Sequence, residues 1–285
     1  MNILMPTDLT ELCTASKNAL ELVSSFEGEI SLHLVHVIDP ALYTLGDMNG
    51  NIVMHSETLN IEMARAKEML KETAKTFGEV YSFSRVTSEL LIGSVEHQII
   101  EFCEQNVLDL ILSTTEGTHS FFRYIQGSLT GNLSRKIDVP ILAVPRSTPL
   151  ELPLEHILVA HEFSQRDSKI NALNELSFFK ALTSLTQKTV LIEVVKDAEQ
   201  SSKALEAMYA FNSMNNLPNL TFHTPLDIDH KNGLSSCLED YPNALLCIGN
   251  HQNKGFEYFL EGCTATELMN RYDRPLLSFP LKEDE

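Results

Sequence analysis

The chain has 285 residues and a formal charge of −18, with 39 Asp plus Glu set against 21 Lys plus Arg. A surface that acidic repels nucleic-acid phosphate and anionic membrane, so neither is expected as a partner. With 43% hydrophobic residues, 21% charged residues and no apolar run long enough to span a bilayer, the composition is that of a globular protein with enough chain for two cores.

Short apolar runs alternate with helical patterns. NILMP (2–6) reads as a buried strand, and the stretch after it places Leu12, Ala15, Ala19, Leu22, Val23 and Phe26 at spacings of three and four, with Asp8 or Thr10 as N-cap. A second strand is predicted over 30–38, a long amphipathic helix over 56–77, a third strand near 81–92, a helix over 94–106 and a strand over 108–113. A loop rich in glycine and hydroxyl residues follows, then a helix around 127–136 and a last strand over 139–145. Strands joined through helices require crossover connections, hence a mostly parallel α/β sheet covered on both faces.

The pattern then restarts. Residues 156–164 (HILVAHEFS) lie over 2–10 (NILMPTDLT) at an offset of 154, which sets Glu162 on Asp8 and Ser164 on Thr10. Residues 244–281 lie over 109–146 at an offset of 135 without a gap, with eight identities in 38 positions, among them Gly127/Gly262, Pro140/Pro275 and Pro145/Pro280. Such self-similarity marks an internal repeat. Its second copy is about nineteen residues shorter, the loss falling between its second and fourth strands. The expected boundary is RSTPLELPLE (146–155), dividing the chain into domains 1–148 and 149–285.

The N-terminus, MNILMPTDLTE, has neither a basic region nor a long apolar region, so no secretory signal is expected. Five cysteines, an odd number without a tight pairing motif, fit a reducing cytoplasm.

Several motifs carry the functional reading. Met5-Pro6-Thr7-Asp8 closes the first strand, His36-Val37-Ile38-Asp39 closes the second, and Thr114, Gly117 and, after nine residues, Gly127-Ser128 follow the fourth. Glycines let a backbone approach an anion closely, and a helix opening at Gly127-Ser128 would aim unsatisfied N–H groups at it. Arg123 is placed to meet a terminal phosphate.

With these motifs the chain resembles a tandem universal stress protein. That resemblance implies two open five-stranded parallel sheets of the adenine nucleotide alpha-hydrolase-like, Rossmann-like kind, with helices on both faces and a pseudo-twofold relation. It also implies pairing of the domains edge to edge through VPILAVP and RPLLSFP. ATP or another adenine nucleotide, carrying its Mg²⁺, is implied across the carboxyl ends of the strands. Asp8 and Val37 would hold adenosine, and Thr114, Gly117, Gly127 and Ser128 would take the phosphates. Nucleotide-binding members of the family have glycine where Thr114 stands; in the second copy Gly249 occupies that position, Gln252 replaces the next glycine and Cys263 follows Gly262. The second site is therefore expected to be degenerate.

The role this implies is that of a cytoplasmic stress-response protein, with a protein partner not specified by the sequence. The alternative is a ligand-independent interaction scaffold with both nucleotide sites degenerate. No constellation of nucleophile, base and oxyanion hole is recognisable, so an enzyme is not expected, weak ATP hydrolysis excepted. Pairing of whole chains into a homodimer stays open, as does the role of 40–60 as a lid. His36 is expected as a packed, hydrogen-bonded histidine rather than a metal ligand. His161-Glu162 lacks the second histidine of a zinc motif, Gln165 standing in its place. No protein-held metal is expected.

Overall fold

The computed structural model describes residues 1–9, 14–46, 52–54, 56–115, 137–145, 150–164, 177–217, 219–227, 230–241, 243–251 and 275–281. Strands β1 (Asn2–Pro6), β2 (Ser31–Ile38), β5 (Arg85–Ile92), β6 (Leu110–Thr115) and β7 (Ile141–Pro145) come from the first half of the chain. Helices α1 (Thr14–Ser24), α2 (Ser56–Val80) and α3 (Val95–Gln105) connect them, and a small hairpin, β3 (Thr44–Gly46) with β4 (Ile52–Met54), precedes α2. The second half supplies β8 (His156–Ala160), β9 (Lys188–Ile192), β10 (Leu220–His223), β11 (Ala244–His251) and β12 (Leu276–Leu281). Its described helices are α4 (Ser177–Leu185), α5 (Ala198–Asn215) and α6 (His230–Asp240).

All ten long strands join one sheet, in the order β10-β9-β8-β11-β12-β7-β6-β1-β2-β5. Within each five-strand set the pairing is parallel; β12 and β7 pair antiparallel and fuse the sets. The two sheets expected from the sequence are thus joined edge to edge. In that junction Leu142 stands opposite Leu277, its own counterpart at the offset of 135, with Ile141 opposite Ser278 and Ala143 opposite Leu276. A pseudo-twofold axis therefore passes between Leu142 and Leu277, both fully buried.

Strand alternation sends successive side chains to opposite faces. On one face Ile3, Met5, Leu32, Leu34, Leu110, Leu112, Leu142, Ile157, Leu191, Leu245 and Leu277 meet α1, α2, α4 and α5 in a single apolar layer crossing both halves. On the other, Leu4, Val35, Ile111, Leu158, Val190 and Ile248 meet α3 and α6. In α1 the buried residues include Ala15, Ala19, Leu22 and Val23, the stripe that its periodicity predicts.

Register locates the length difference between the halves. Counterparts are 154 apart across β1 and β8 (Asn2 and His156) and 157 apart across β2 and β9 (Ser31 and Lys188). They are 134 apart across β5 and β10 (Val86 and Leu220) and 135 apart across β6 and β11 (Leu110 and Leu245). The loss therefore lies between the second and third strands, narrower than the interval read from the sequence. There the first half carries the hairpin and a helix of 25 residues, against 18 in α5.

One further reading is corrected. The third strand begins at Arg85 rather than near 81, because Tyr81 and Phe83 form a tight turn (Phe83 N–H to Tyr81 O, 2.8 Å) in which Tyr81 packs against both Phe83 and Phe77. In the described part of the boundary segment Leu150 and Leu154 are buried in the shared layer, and the Asn18 side-chain amide donates to the Leu150 carbonyl at 2.6 Å.

Candidate functional site

β1 lies between β2 and β6, so the connections from β1 and from the strand beside it run to opposite sides of the sheet order. Where that order reverses, the connections part and leave a crevice beyond the carboxyl ends. At the end of β1 the Thr7 N–H donates to the Val35 carbonyl at 2.9 Å, and the Thr7 carbonyl lies 2.7 Å from Nδ1 of His36. A carbonyl can only accept, so Nδ1 carries the proton in this pairing. His36 is thus hydrogen-bonded within the fold, as its place on the strand implied. The Leu9 N–H turns back to Thr7 Oγ1 at 3.1 Å, and Leu9 has φ 61°, a left-handed conformation uncommon for a side chain of this kind. The turn is fixed from both sides, and Asp8 stands exposed at its crest.

β2 runs past the end of β1: Pro6 pairs with Val35, and the strand continues to Ile38. Backbone groups alternate along a strand. Val37 therefore aims its N–H and C=O in the direction in which Val35 meets Thr7, but beyond the end of β1. Thr114 lies near the end of β6, level with Val144 of β7. Asp8, Val37 and Thr114 thus belong to the carboxyl ends of three adjacent strands, around the reversal point. Gly117, Gly127 and Ser128, together with Arg123, lie outside the described residues.

Behind this edge is a small apolar cluster of Ile38, Leu59 and Ala66, packed with Leu9, Tyr43, Met63 and Leu90. The described part of 40–60 contributes to it through a short 3-10 turn, Pro40–Tyr43, whose first N–H groups are capped by Asp39 (Ala41 N–H to Oδ1, 2.9 Å).

The second half repeats the backbone and changes the chemistry. The His161 N–H donates to the Ile192 carbonyl at 3.1 Å, the equivalent of Thr7 and Val35. Glu162 takes the place of Asp8, half-buried rather than exposed. At the register position of His36 stands Glu193, a carboxylate only 6% exposed. Its Oε2 accepts the Ser164 N–H at 3.0 Å and its Oε1 accepts the Ser164 hydroxyl. Burial pushes its pKa above the usual carboxylate value; the Ser164 donors and a backbone N–H from Phe163 pull the other way, while the nearby Glu162 adds to the rise.

Val194, the counterpart of Val37, is buried under α6. Gly233 lets that helix come so near that a Cβ on it would stand 2.5 Å from Val194 Cγ1. Gly249 lies in β11 opposite Phe279; Gln252, Gly262 and Cys263 lie outside the described residues.

Glu193 and Gly233 escaped the sequence reading. For Glu193 the signal was present: LVHVI (34–38) and LIEVV (191–195) share a pattern of apolar residues around one polar position, offset by 157. Among the described residues no cluster of three or more His, Cys, Asp or Glu could hold a metal, and no helix is long and apolar enough to cross a membrane.

Residues 1–145 match the family described as the universal stress protein family. A universal stress protein of Methanocaldococcus jannaschii is 26% identical over 145 residues, covering 50% of this chain and 81% of its own. Another from the same organism is 23% identical over 154 residues, covering 50% of this chain and 94% of its own. The crystal structure of a universal stress protein from Archaeoglobus fulgidus superposes with a TM-score of 0.71 at 20% identity, over 100% of this chain and 97% of that one, which shows a shared fold along the whole length. With its first half matched throughout, the chain belongs to the universal stress protein family.

Proposed function

We propose that the protein is a cytoplasmic stress-response regulator that holds ATP or another adenine nucleotide, with its Mg²⁺, at the carboxyl edge of β2, β1 and β6. Its domains are 1–148 and 149–285. The second serves as a surface for a protein partner rather than as a second nucleotide site. The observation carrying this reading is that Asp8, Val37 and Thr114, drawn from stretches of chain more than a hundred residues apart, share one sheet edge at the strand-order reversal. The group fits that edge on two counts: Asp8 is exposed on a turn locked by Thr7 and His36, and the Val37 backbone points beyond the end of β1. In this reading Asp8 accepts from ribose hydroxyls, the Val37 main chain meets the base, and Gly117, Gly127 and Ser128 supply backbone N–H groups and a hydroxyl to the phosphates.

Isothermal titration of Mg-ATP against the intact chain and Asp8→Ala tests it. One site per chain is expected, weakened roughly 10- to 100-fold in the variant by loss of a charge-assisted hydrogen bond. No heat at high micromolar protein overturns the nucleotide claim, and an unchanged affinity in Asp8→Ala overturns the part given to Asp8.

The second reading, a ligand-independent scaffold, draws on Thr114 in place of glycine and on the closure of the second half around Glu193. A melting curve unmoved by nucleotide but shifted by a protein partner favours it.

A further inference from the structure

The turn after β8 gathers three hydrogen-bond donors on one point: the Phe163 N–H, the Ser164 N–H and the Ser164 hydroxyl all act on the Glu193 carboxylate. Successive backbone N–H groups converging in this way form a concavity suited to an anion. It lies at the carboxyl edge of the second half, at the place that the Thr7–Leu9 turn takes in the first. In the first half the residue at the register position of Glu193 is His36, which donates to a carbonyl and so supplies no negative charge. A buried carboxylate is retained at a desolvation penalty only where donors meet it, and here the donors come from a single turn. Packing completes the closure: Phe163 is buried against His161 and Phe211, with ring centroids 5.3 and 5.2 Å apart.

We infer that residues 161–164 form an anion nest which the chain fills with its own Glu193 side chain. The second half thus carries an internal ligand where an external anion would otherwise sit. Glu193 holds the turn onto β9, and the half is closed by construction rather than by mere loss of motif glycines. This stands independently of whether the first half binds nucleotide.

Glu193→Ala removes the internal ligand and leaves the nest intact. In the full-length chain the melting temperature is expected to fall by roughly 5 °C, the effect of losing hydrogen bonds to a charged group. Sodium formate, small enough to enter the vacated space, should restore part of that fall, whereas sodium chloride at equal ionic strength should not. Ser164→Ala should lower the melting temperature in the native background and have little effect in Glu193→Ala. A Glu193→Ala variant melting like the native chain overturns the inference, and so does formate acting no better than chloride. Should Glu193→Ala fail to fold, Glu193→Gln keeps the volume and takes its place in the cycle with Ser164→Ala. Strongly non-additive losses support the nest, and fully additive losses refute it.

Discussion

Gly233→Ala offers a sharp test of how tightly the second half is closed. Gly233 is the fourth residue of α6, and an added Cβ would lie 2.5 Å from Val194 Cγ1, with Val194 Cγ2 and Asp227 Cβ each at 3.2 Å. Carbon atoms pack at about 3.5–4.0 Å, so the overlap with Cγ1 is about 1 Å. Val194 is β-branched and nearly buried, which leaves it little rotameric freedom to yield, so the helix must move off the sheet. Overpacking of this kind costs about 1–3 kcal/mol, against a gain of about 1 kcal/mol for alanine over glycine in a helix. The expected net is a loss of up to about 2 kcal/mol, a fall of up to a few degrees in melting temperature. Val194→Ala is itself destabilising, but it removes the clash, so in that background Gly233→Ala should become neutral or stabilising. The assay is urea unfolding of the four chains in the cycle. A stabilising Gly233→Ala in the native background would refute the reasoning, as would a penalty that persists undiminished in the Val194→Ala background.

Other expectations concern charge, thiols and the junction. Because burial raises the folded-state pKa of Glu193, with Glu162 adding to the rise, its contribution to stability is greatest below the unfolded carboxylate value and declines as pH climbs through the raised one. The melting-temperature advantage of the native chain over Glu193→Gln should therefore shrink from about pH 4.5 upward without vanishing, because the Ser164 donors still hold the ionised carboxylate; a gap independent of pH contradicts the assignment. Burial also pushes the thiol of Cys237 up to about 11 and that of Cys103 up to about 12, and raises that of the fully buried Cys247. In a Cys13→Ser/Cys263→Ser chain, iodoacetamide at pH 8 should label these three at less than about a hundredth of the rate of an exposed cysteine; rapid labelling of Cys237 or Cys247 would show the second-half core to be open. Leu142→Ala and Leu277→Ala, at equivalent places on the pseudo-twofold axis, should each cost about 2–5 kcal/mol in urea unfolding. A negligible effect at Leu277 would mean that the β7–β12 junction does not hold the halves together.

Much of this fold could be read from local pattern. The apolar run Asn2–Pro6 is the first strand as predicted, and the α1 stripe follows from spacings of three and four, since both depend only on which face is buried. The pairing of VPILAVP with RPLLSFP was implied by the family resemblance, and the offset of 135 then names Leu142 and Leu277 as the counterparts that meet there. What the pattern hid was set by tertiary contacts. Tyr81 and Phe83 look like strand residues but spend their aromatic surface on a turn beside Phe77. The three residues gained between β8 and β9 moved Glu193 out of line with His36 at the offset of 154, so the exchange of a donor for an acceptor escaped notice although LVHVI and LIEVV share its pattern, and strand register aligns the two. The left-handed Leu9 could not be foreseen either, as nothing in MPTDL other than its packing against two apolar clusters calls for it.

The asymmetry between the halves is most directly tested by a crystal structure of the full chain grown with Mg-ATP. The account predicts electron density for the nucleotide in the first half, its ribose at Asp8, its base along Val37 and its phosphates toward Gly127 and Ser128. It predicts none between Glu162 and Val194, where Glu193 remains bonded to Ser164. Nucleotide density in the second half, or an empty first half at saturating ATP, would contradict it.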